Sequence, residues 1–213
     1  MIPITPVGPP PGFAMNVVRP AKAWVTRKGW TWTAPPPVGK VHELPAHWTK
    51  VLNELHDGYG GACAYLSVYT HRSLDSTSVD HFEPKSAAPI SRAYDWSNYR
   101  LASRPMNTNK GEHLDVLDPF TLPPGLFKLN LVSGRVQISN TLAPFELALQ
   151  PQAIATLKRL KLNDGEYRDL RLHYIDEYLR NRQLPDPKAL AAAQNQLLLQ
   201  SPFIHHEVLR QGW

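Results

Sequence analysis

Val79-Asp80-His81-Phe82-Glu83-Pro84-Lys85-Ser86, then Tyr94-Asp95-Trp96-Ser97-Asn98-Tyr99-Arg100-Leu101-Ala102, then Ser103-Arg104-Pro105-Met106-Asn107-Thr108-Asn109-Lys110-Gly111, is the part of the chain that decides the fold. Ser78 to Phe82 and Tyr99 to Ala102 read as short strands with a loop between them. A helical piece begins near Arg104 and ends at Lys110-Gly111, where glycine suits a helix terminus. The result is a strand, loop, strand, helix unit, small enough to be a catalytic module. Adjacent residues in a strand point to opposite sides, so Asp80 and His81 share a side only if the strand ends or twists there. Pro84 fixes such an end three residues on.

Metal-assisted phosphodiester hydrolysis asks for few residue types. A hard cation such as Mg²⁺ takes oxygen ligands, only some of them from protein. A base must accept a proton from the attacking water, and histidine is poised for that near neutral pH. Asn107, on the helix, can bring a carboxamide oxygen next to the Asp80 carboxylate. The two make an oxygen site with His81 alongside, and no cysteine is needed.

Outward from this unit, residues 1–45 read as a Pro-rich extended arm. Pro3, Pro6, Pro9, Pro10, Pro11, Pro20, Pro35, Pro36 and Pro37 oppose regular helix. Within it, Arg19 to Trp32 interleaves basic residues with Trp24, Trp30 and Trp32. That pattern suits a grip on a nucleic-acid strand by charge and stacking; the simpler reading is that three tryptophans anchor the arm to a domain. Trp48, Val51, Leu52 and Leu55 form one helical stripe, stopped by Gly58, Gly60 and Gly61. Ala64 to Tyr69 looks strand-like. Beyond the central unit, residues 126–139 alternate about Ser133-Gly134 as a hairpin. Three helices follow, marked by Ile154, Leu157 and Leu160, then by Tyr167 to Tyr178 ending at Pro185 and Pro187, then by Ala189 to Gln200. Arg168, Arg171, Arg180 and Arg182 read as a solvated helix face, and His205-His206-Glu207 as a polar turn of the last helix.

The composition narrows the class. The chain has 213 residues, 42% of them hydrophobic, enough for a packed core. No apolar run reaches the ~18 residues that cross a bilayer, and no leader pattern opens the sequence, so no membrane association and a cytoplasmic location are expected. Cys63 is the single cysteine and makes neither an internal disulfide nor a zinc site alone. The net charge is +5 and the pI about 9.3, which favours a polyanionic partner. Proline, at 21 residues, is about twice its usual share.

The central motifs resemble the HNH endonucleases. His81, Asn98 and Asn107 fall at that family's three signature positions, and Lys110-Gly111 follows Asn107 as in its second half. More narrowly, Gly61-Ala62-Cys63-Ala64-Tyr65, Asp80 to Ser86 and Tyr94 to Asn98 are similar to the PtuB-type branch, the nuclease subunits of Septu anti-phage systems and related retron effectors. The resemblance is specific over residues 60–112 and vague elsewhere, although the proline-rich opening Met1 to Phe13 is similar in style to that branch. It implies an α+β chain with a ββα-metal core over 46–125, between the arm and a helical 126–213. His81 and Asn98 are then the catalytic pair, His81 as general base and Asn98 holding the loop that orients its ring. Asp80 and Asn107 are the metal ligands for Mg²⁺ or Mn²⁺, and Lys110, Arg104 and Lys85 contact substrate phosphate. Relatives of this type carry two Cys-x-x-Cys pairs for structural zinc, but here those positions are Cys63 and Leu66, then Ser103 and Met106. A structural zinc is therefore not expected, and apolar contact takes its place. The implied activity is hydrolysis of DNA in phage defence, beside a PtuA-like ABC/SMC-type ATPase. Two alternatives stay open: a catalytically inactive HNH-fold interaction subunit that binds nucleic acid or the ATPase, and an RNA-cleaving enzyme using the same centre.

Overall fold

The computed structural model describes residues 1–72, 76–182 and 187–213. The chain is mixed α+β and divides into two compact units that cut across the expected sequence boundaries. The first unit is Thr5–Gly61 with His71–Leu114; the second is Met1–Ile4, Ala62–Thr70 and Asp115–Trp213.

In the first unit a π-helical turn, Ala14–Val18, leads into α1, Arg19–Arg27. A 3-10 turn over His47–Val51 continues as α2, Leu52–Gly58. β1 (Thr77–His81), α3 (Ile90–Ala93), β2 (Tyr99–Ser103) and α4 (Arg104–Lys110) follow. β1 and β2 pair antiparallel, with Val79 opposite Leu101, Asp80 opposite Arg100 and His81 opposite Tyr99. Pro105 sits in the first turn of α4, where its missing N–H leaves no bond unmade. Gly111, at φ +48°, closes that helix by donating to the Asn107 carbonyl.

The extended arm expected over residues 1–45 is corrected for 14–27, which are helical. Phe13, Val17, Ala21 and Val25 recur every four residues and bury one stripe in the same core as Leu55, Val79, Ile90, Tyr99 and Leu101. Pro20 is tolerated because it lies in the first turn of α1. The residue before it, Arg19, donates its N–H to the Ala14 carbonyl, a bond of π-helical span. Trp24, Trp30 and Trp32 pack half-buried against this core, the first two edge to face at 5.2 Å.

The second unit holds the expected hairpin, β3 (Phe127–Asn130) with β4 (Arg135–Ile138), Leu129 opposite Val136. Gly134 turns it at φ +66°, and a Cβ there would lie 2.9 Å from the Arg168 carbonyl oxygen. Helices α5 (Pro144–Leu147), α6 (Gln150–Arg159), α7 (Gly165–Arg182), α8 (Pro187–Gln200) and α9 (Pro202–Gln211) follow, with α7, α8 and α9 packed in succession. Pro187 begins α8 instead of ending α7, and Pro185 lies outside the described residues. The strand-like Ala64–Tyr69 is a turn closed by one bridge, Ala62 to Tyr69, with Ser67 at φ +55°.

Two polar readings also change. Arg171 is no solvated residue: it is buried and donates to the Gly134 and Leu162 carbonyls at 2.7 and 2.5 Å. Glu207 lies inside α9, buried, accepting from the Leu129 N–H and from Arg210. Cys63, Leu66 and Met106 are buried as apolar side chains would be. Among the described residues no helix is long and apolar enough to cross a membrane.

Because the 13–27 segment contributes a core stripe, Phe13→Ala should lower the stability of the first unit by about 3–5 kcal/mol. Urea unfolding followed by tryptophan fluorescence reads this unit, which holds five of the six tryptophans. An unchanged midpoint would return the segment to the status of a detached arm.

Candidate functional site

β1 ends at His81, so the pleat stops there, and Asp80 and His81 line a single cavity of about 290 Å³. Asn107, Lys85, Glu112, His42, Val41 and Pro84 complete most of its wall. The carboxylate, imidazole and carboxamide singled out in the sequence therefore converge on one cleft, although Asn107 comes from α4 and the other two from β1.

His81 is held on every side. Its Nε2 lies 2.9 Å from the Ala93 carbonyl oxygen, which can only accept. Nε2 therefore carries the proton, and Nδ1 keeps its lone pair. Tyr99 Oη donates to the same carbonyl at 2.9 Å. The ring packs edge-on against Trp48 (4.8 Å) and Tyr99 (5.2 Å). Nδ1 faces Lys85 Nζ at 3.5 Å, too far for a strong bond. Burial, then the Lys85 and Lys110 charges, push the His81 pKa down to about 3, against a smaller upward pull from the Ala93 bond. The imidazole is neutral at physiological pH.

Asn98 does not line the cavity; it is a positioning residue. Its Oδ1 accepts from the Glu83 N–H at 2.7 Å, and its Nδ2 donates to the Glu83 and Arg92 carbonyls at 3.1 and 3.0 Å. Those bonds clasp both ends of the 83–92 loop and fix the peptide that precedes Ala93, the acceptor of the His81 proton. Arg92 tightens the same loop, bidentate to Glu83 at 2.6 and 3.0 Å and paired with Asp95. Asp95 in turn caps the Trp96–Asn98 turn through the Ser97 N–H.

Asn107 is oriented by its amide nitrogen, which donates to Ser78 Oγ at 3.0 Å and to the Val79 carbonyl at 3.3 Å. The latter is the peptide immediately before Asp80. No described residue takes up its Oδ1. Asp80 is 2% exposed, with Lys110 Nζ 3.8 Å from one carboxylate oxygen.

The three cations expected at substrate separate. Lys85 lines the cavity and lies over the Trp48 ring at 5.0 Å. Burial lowers its pKa, opposed by the Asp80 and Glu112 charges. Lys110 is wholly buried, donating to the His81 and Phe82 carbonyls at 2.9 and 2.6 Å, so it buttresses the end of β1 and does not reach a substrate phosphate. Arg104 is exposed at the first residue of α4 and does not line the cavity.

The sequence pattern missed His42, Val41, Trp48 and Glu112. His42 and Val41 fell inside the supposed arm, and Trp48 was assigned only to a helical stripe. Glu112 follows directly on Lys110-Gly111, the one local signal that marked it.

Among the described residues no group of three or more His, Cys, Asp or Glu side chains is placed to hold a metal ion. The donor set here is smaller and of another kind, one carboxylate and one amide oxygen beside open space. That suits Mg²⁺, which keeps several waters and binds protein through one or two oxygens plus substrate phosphate. No model of a known protein family matches the chain, and a search of curated proteins finds no match either.

The depressed His81 pKa ties stability to pH. Between about 3 and the ordinary value of 6.5 the unfolded chain binds a proton at this residue and the folded chain does not. Its contribution is complete above 6.5 and is lost progressively as pH falls from 6.5 toward 3. Stepped-pH urea unfolding should show wild type losing more stability across that window than His81→Gln. Parallel curves would mean that the folded imidazole titrates normally.

Proposed function

We propose that this cavity is the catalytic centre of an HNH-type, metal-dependent endonuclease that hydrolyses nucleic-acid phosphodiesters, with DNA as the substrate favoured by the resemblance. One observation carries the reading: a buried histidine with Nε2–H tied to a backbone carbonyl and Nδ1 left with its lone pair 3.5 Å from Lys85 Nζ, in a cavity that Lys85, Asp80 and Asn107 also line.

Each residue has a task that its surroundings explain. His81 Nδ1 accepts a proton from water as the water oxygen bonds to phosphorus and the P–O ester bond breaks. Bound Mg²⁺ or Mn²⁺, held by Asp80 and Asn107, would supply positive charge to the phosphate and the leaving oxygen. Lys85 lies where a phosphate oxygen can pair with it. That pairing offsets the charge that depresses His81, so substrate raises the proton affinity of its own base as it binds. Asn98 keeps the imidazole in the tautomer that exposes Nδ1, and Lys110 holds the backbone of β1 beneath it.

The nuclease reading also supports the further expectation of a role in phage defence with an ATPase partner of the ABC/SMC type. That rests on the Gly61–Tyr65, Asp80–Ser86 and Tyr94–Asn98 motifs.

His81→Ala should lower plasmid nicking in Mg²⁺ by about 10²–10⁴-fold. Asp80→Ala and Asn107→Ala should do likewise, and EDTA should abolish the reaction. Lys85→Met should raise KM and move the acid limb of the kcat/KM profile to higher pH, because it removes a charge that opposes protonation of His81. Undiminished nicking by His81→Ala excludes the imidazole as base.

A further inference from the structure

The chain's charge is unevenly placed. Arg19, Lys22, Arg27, Lys28 and Lys40 all precede the first carboxylate of the sequence, Glu43, and these five equal the net charge of the whole protein, +5. From Glu43 onward the chain is balanced. All five are exposed, and the first three lie on α1 in the same unit as the catalytic cavity. Lys28 and Lys40 both pair with Glu43 at 2.9 Å, whereas Arg19, Lys22 and Arg27 have no carboxylate partner among the described residues.

Beside these cations runs an open groove of about 640 Å³, lined by Pro20, Ala23, Trp24, Arg27, Pro45 and His47. Its surface is mostly apolar, and an indole (Trp24) and an imidazole (His47) are among its lining. Lys28 lies 5.3 Å over the Trp24 ring, and Lys22 lies 5.4 Å over Trp32. Flat apolar surfaces flanked by unpaired cations match a strand whose bases are free to stack and whose phosphates are free to pair. A duplex hides its base faces and would engage only the cations.

Neighbouring residues of one segment line the cavity and the groove. Val41 and His42 line the catalytic cavity, while Pro45 and His47 line the groove. His42 and Pro45 are three residues apart, so their Cα atoms are separated by at most about 11 Å. Trp48, directly after His47, packs on His81.

We propose that this groove, with Arg19, Arg27 and Lys22 beside it, binds single-stranded nucleic acid and leads that strand into the catalytic cavity. This rests on the nuclease reading for its destination, though not for the binding itself. Specificity would then favour unpaired or locally melted substrate. Sugar identity is not read by the groove, since stacking and phosphate pairing are common to both nucleic acids.

The test is fluorescence anisotropy in EDTA with labelled oligo(dT), oligo(U) and a DNA duplex of equal length, alongside Mg²⁺-dependent nicking of circular single-stranded DNA. Wild type should bind both single strands more tightly than the duplex. The double variant Arg19→Glu/Arg27→Glu, altering two exposed side chains, should weaken single-strand binding by at least about tenfold and flatten its salt dependence. Trp24→Ala should weaken it by about 5- to 150-fold, with Trp24→Phe retaining most of the affinity. Duplex preference, or wild-type affinity in the double variant, overturns the groove assignment. Should nicking by wild type then persist and depend on His81, the nuclease reading stands alone. If instead the groove variants lose binding while His81→Ala nicks as wild type does, the groove stands and the catalytic reading falls.

Discussion

The hydrogen bond from His81 Nε2 to the Ala93 carbonyl governs the site. It decides which imidazole nitrogen carries the proton, and so which one faces the cavity with a lone pair. An imidazole free to rotate would present either nitrogen, and burial alone would not choose between them. The carbonyl is itself held because Asn98 clasps the adjacent Arg92 peptide. Removing the clasp leaves up to three backbone groups of the loop without their partner, each costing about 1–3 kcal/mol if buried. The asparagine therefore acts on the imidazole through the backbone, without lining the cavity.

The electrostatics of the cavity follow from the same packing. Trp48 and Tyr99 exclude water from the His81 ring, which makes its protonated form costly. Two lysines add to that cost: Lys85, which lines the cavity, and Lys110, which is bonded to the His81 and Phe82 carbonyls. Only Lys85 stands where an anion can answer it. A phosphate group entering the cleft would thus change the environment of the base and satisfy Lys85 in one event. On the proposed reading, the low proton affinity of His81 and its role as base with a phosphate bound are compatible.

The helical segment that precedes the site ties surface charge to the core. Its apolar stripe at Phe13, Val17, Ala21 and Val25 enters the core, and its opposite side carries cations with no acidic residue among them. An amphipathic segment of this sort needs the core to stay helical, since nine to fourteen residues rarely hold a helix alone in water. Packing therefore fixes where the charges stand. Val41 and His42, further along the proline-rich stretch that follows this helix, line the cavity wall, which a detached arm would not do.

The strand, loop, strand, helix order, the hairpin about Ser133-Gly134 and the approach of Asp80 and Asn107 to one cleft were legible in the sequence, because each rests on local spacing or on residue types with few chemical uses. The helix over 14–27 was not, because proline counts weigh against helix without saying that Pro20 falls in a first turn, where it does no harm. Lys110 and Lys85 look equivalent as letters; only the folded chain shows one buried on backbone carbonyls and the other lining the cleft. Arg171 and Glu207 likewise read as surface charges until tertiary packing closes over them. What sequence determined is which groups were present and how local segments bend. Which nitrogen of His81 is free, which cation meets the cavity and which wall His42 joins were decided by tertiary structure, since burial and long-range hydrogen bonds exist only once distant segments meet.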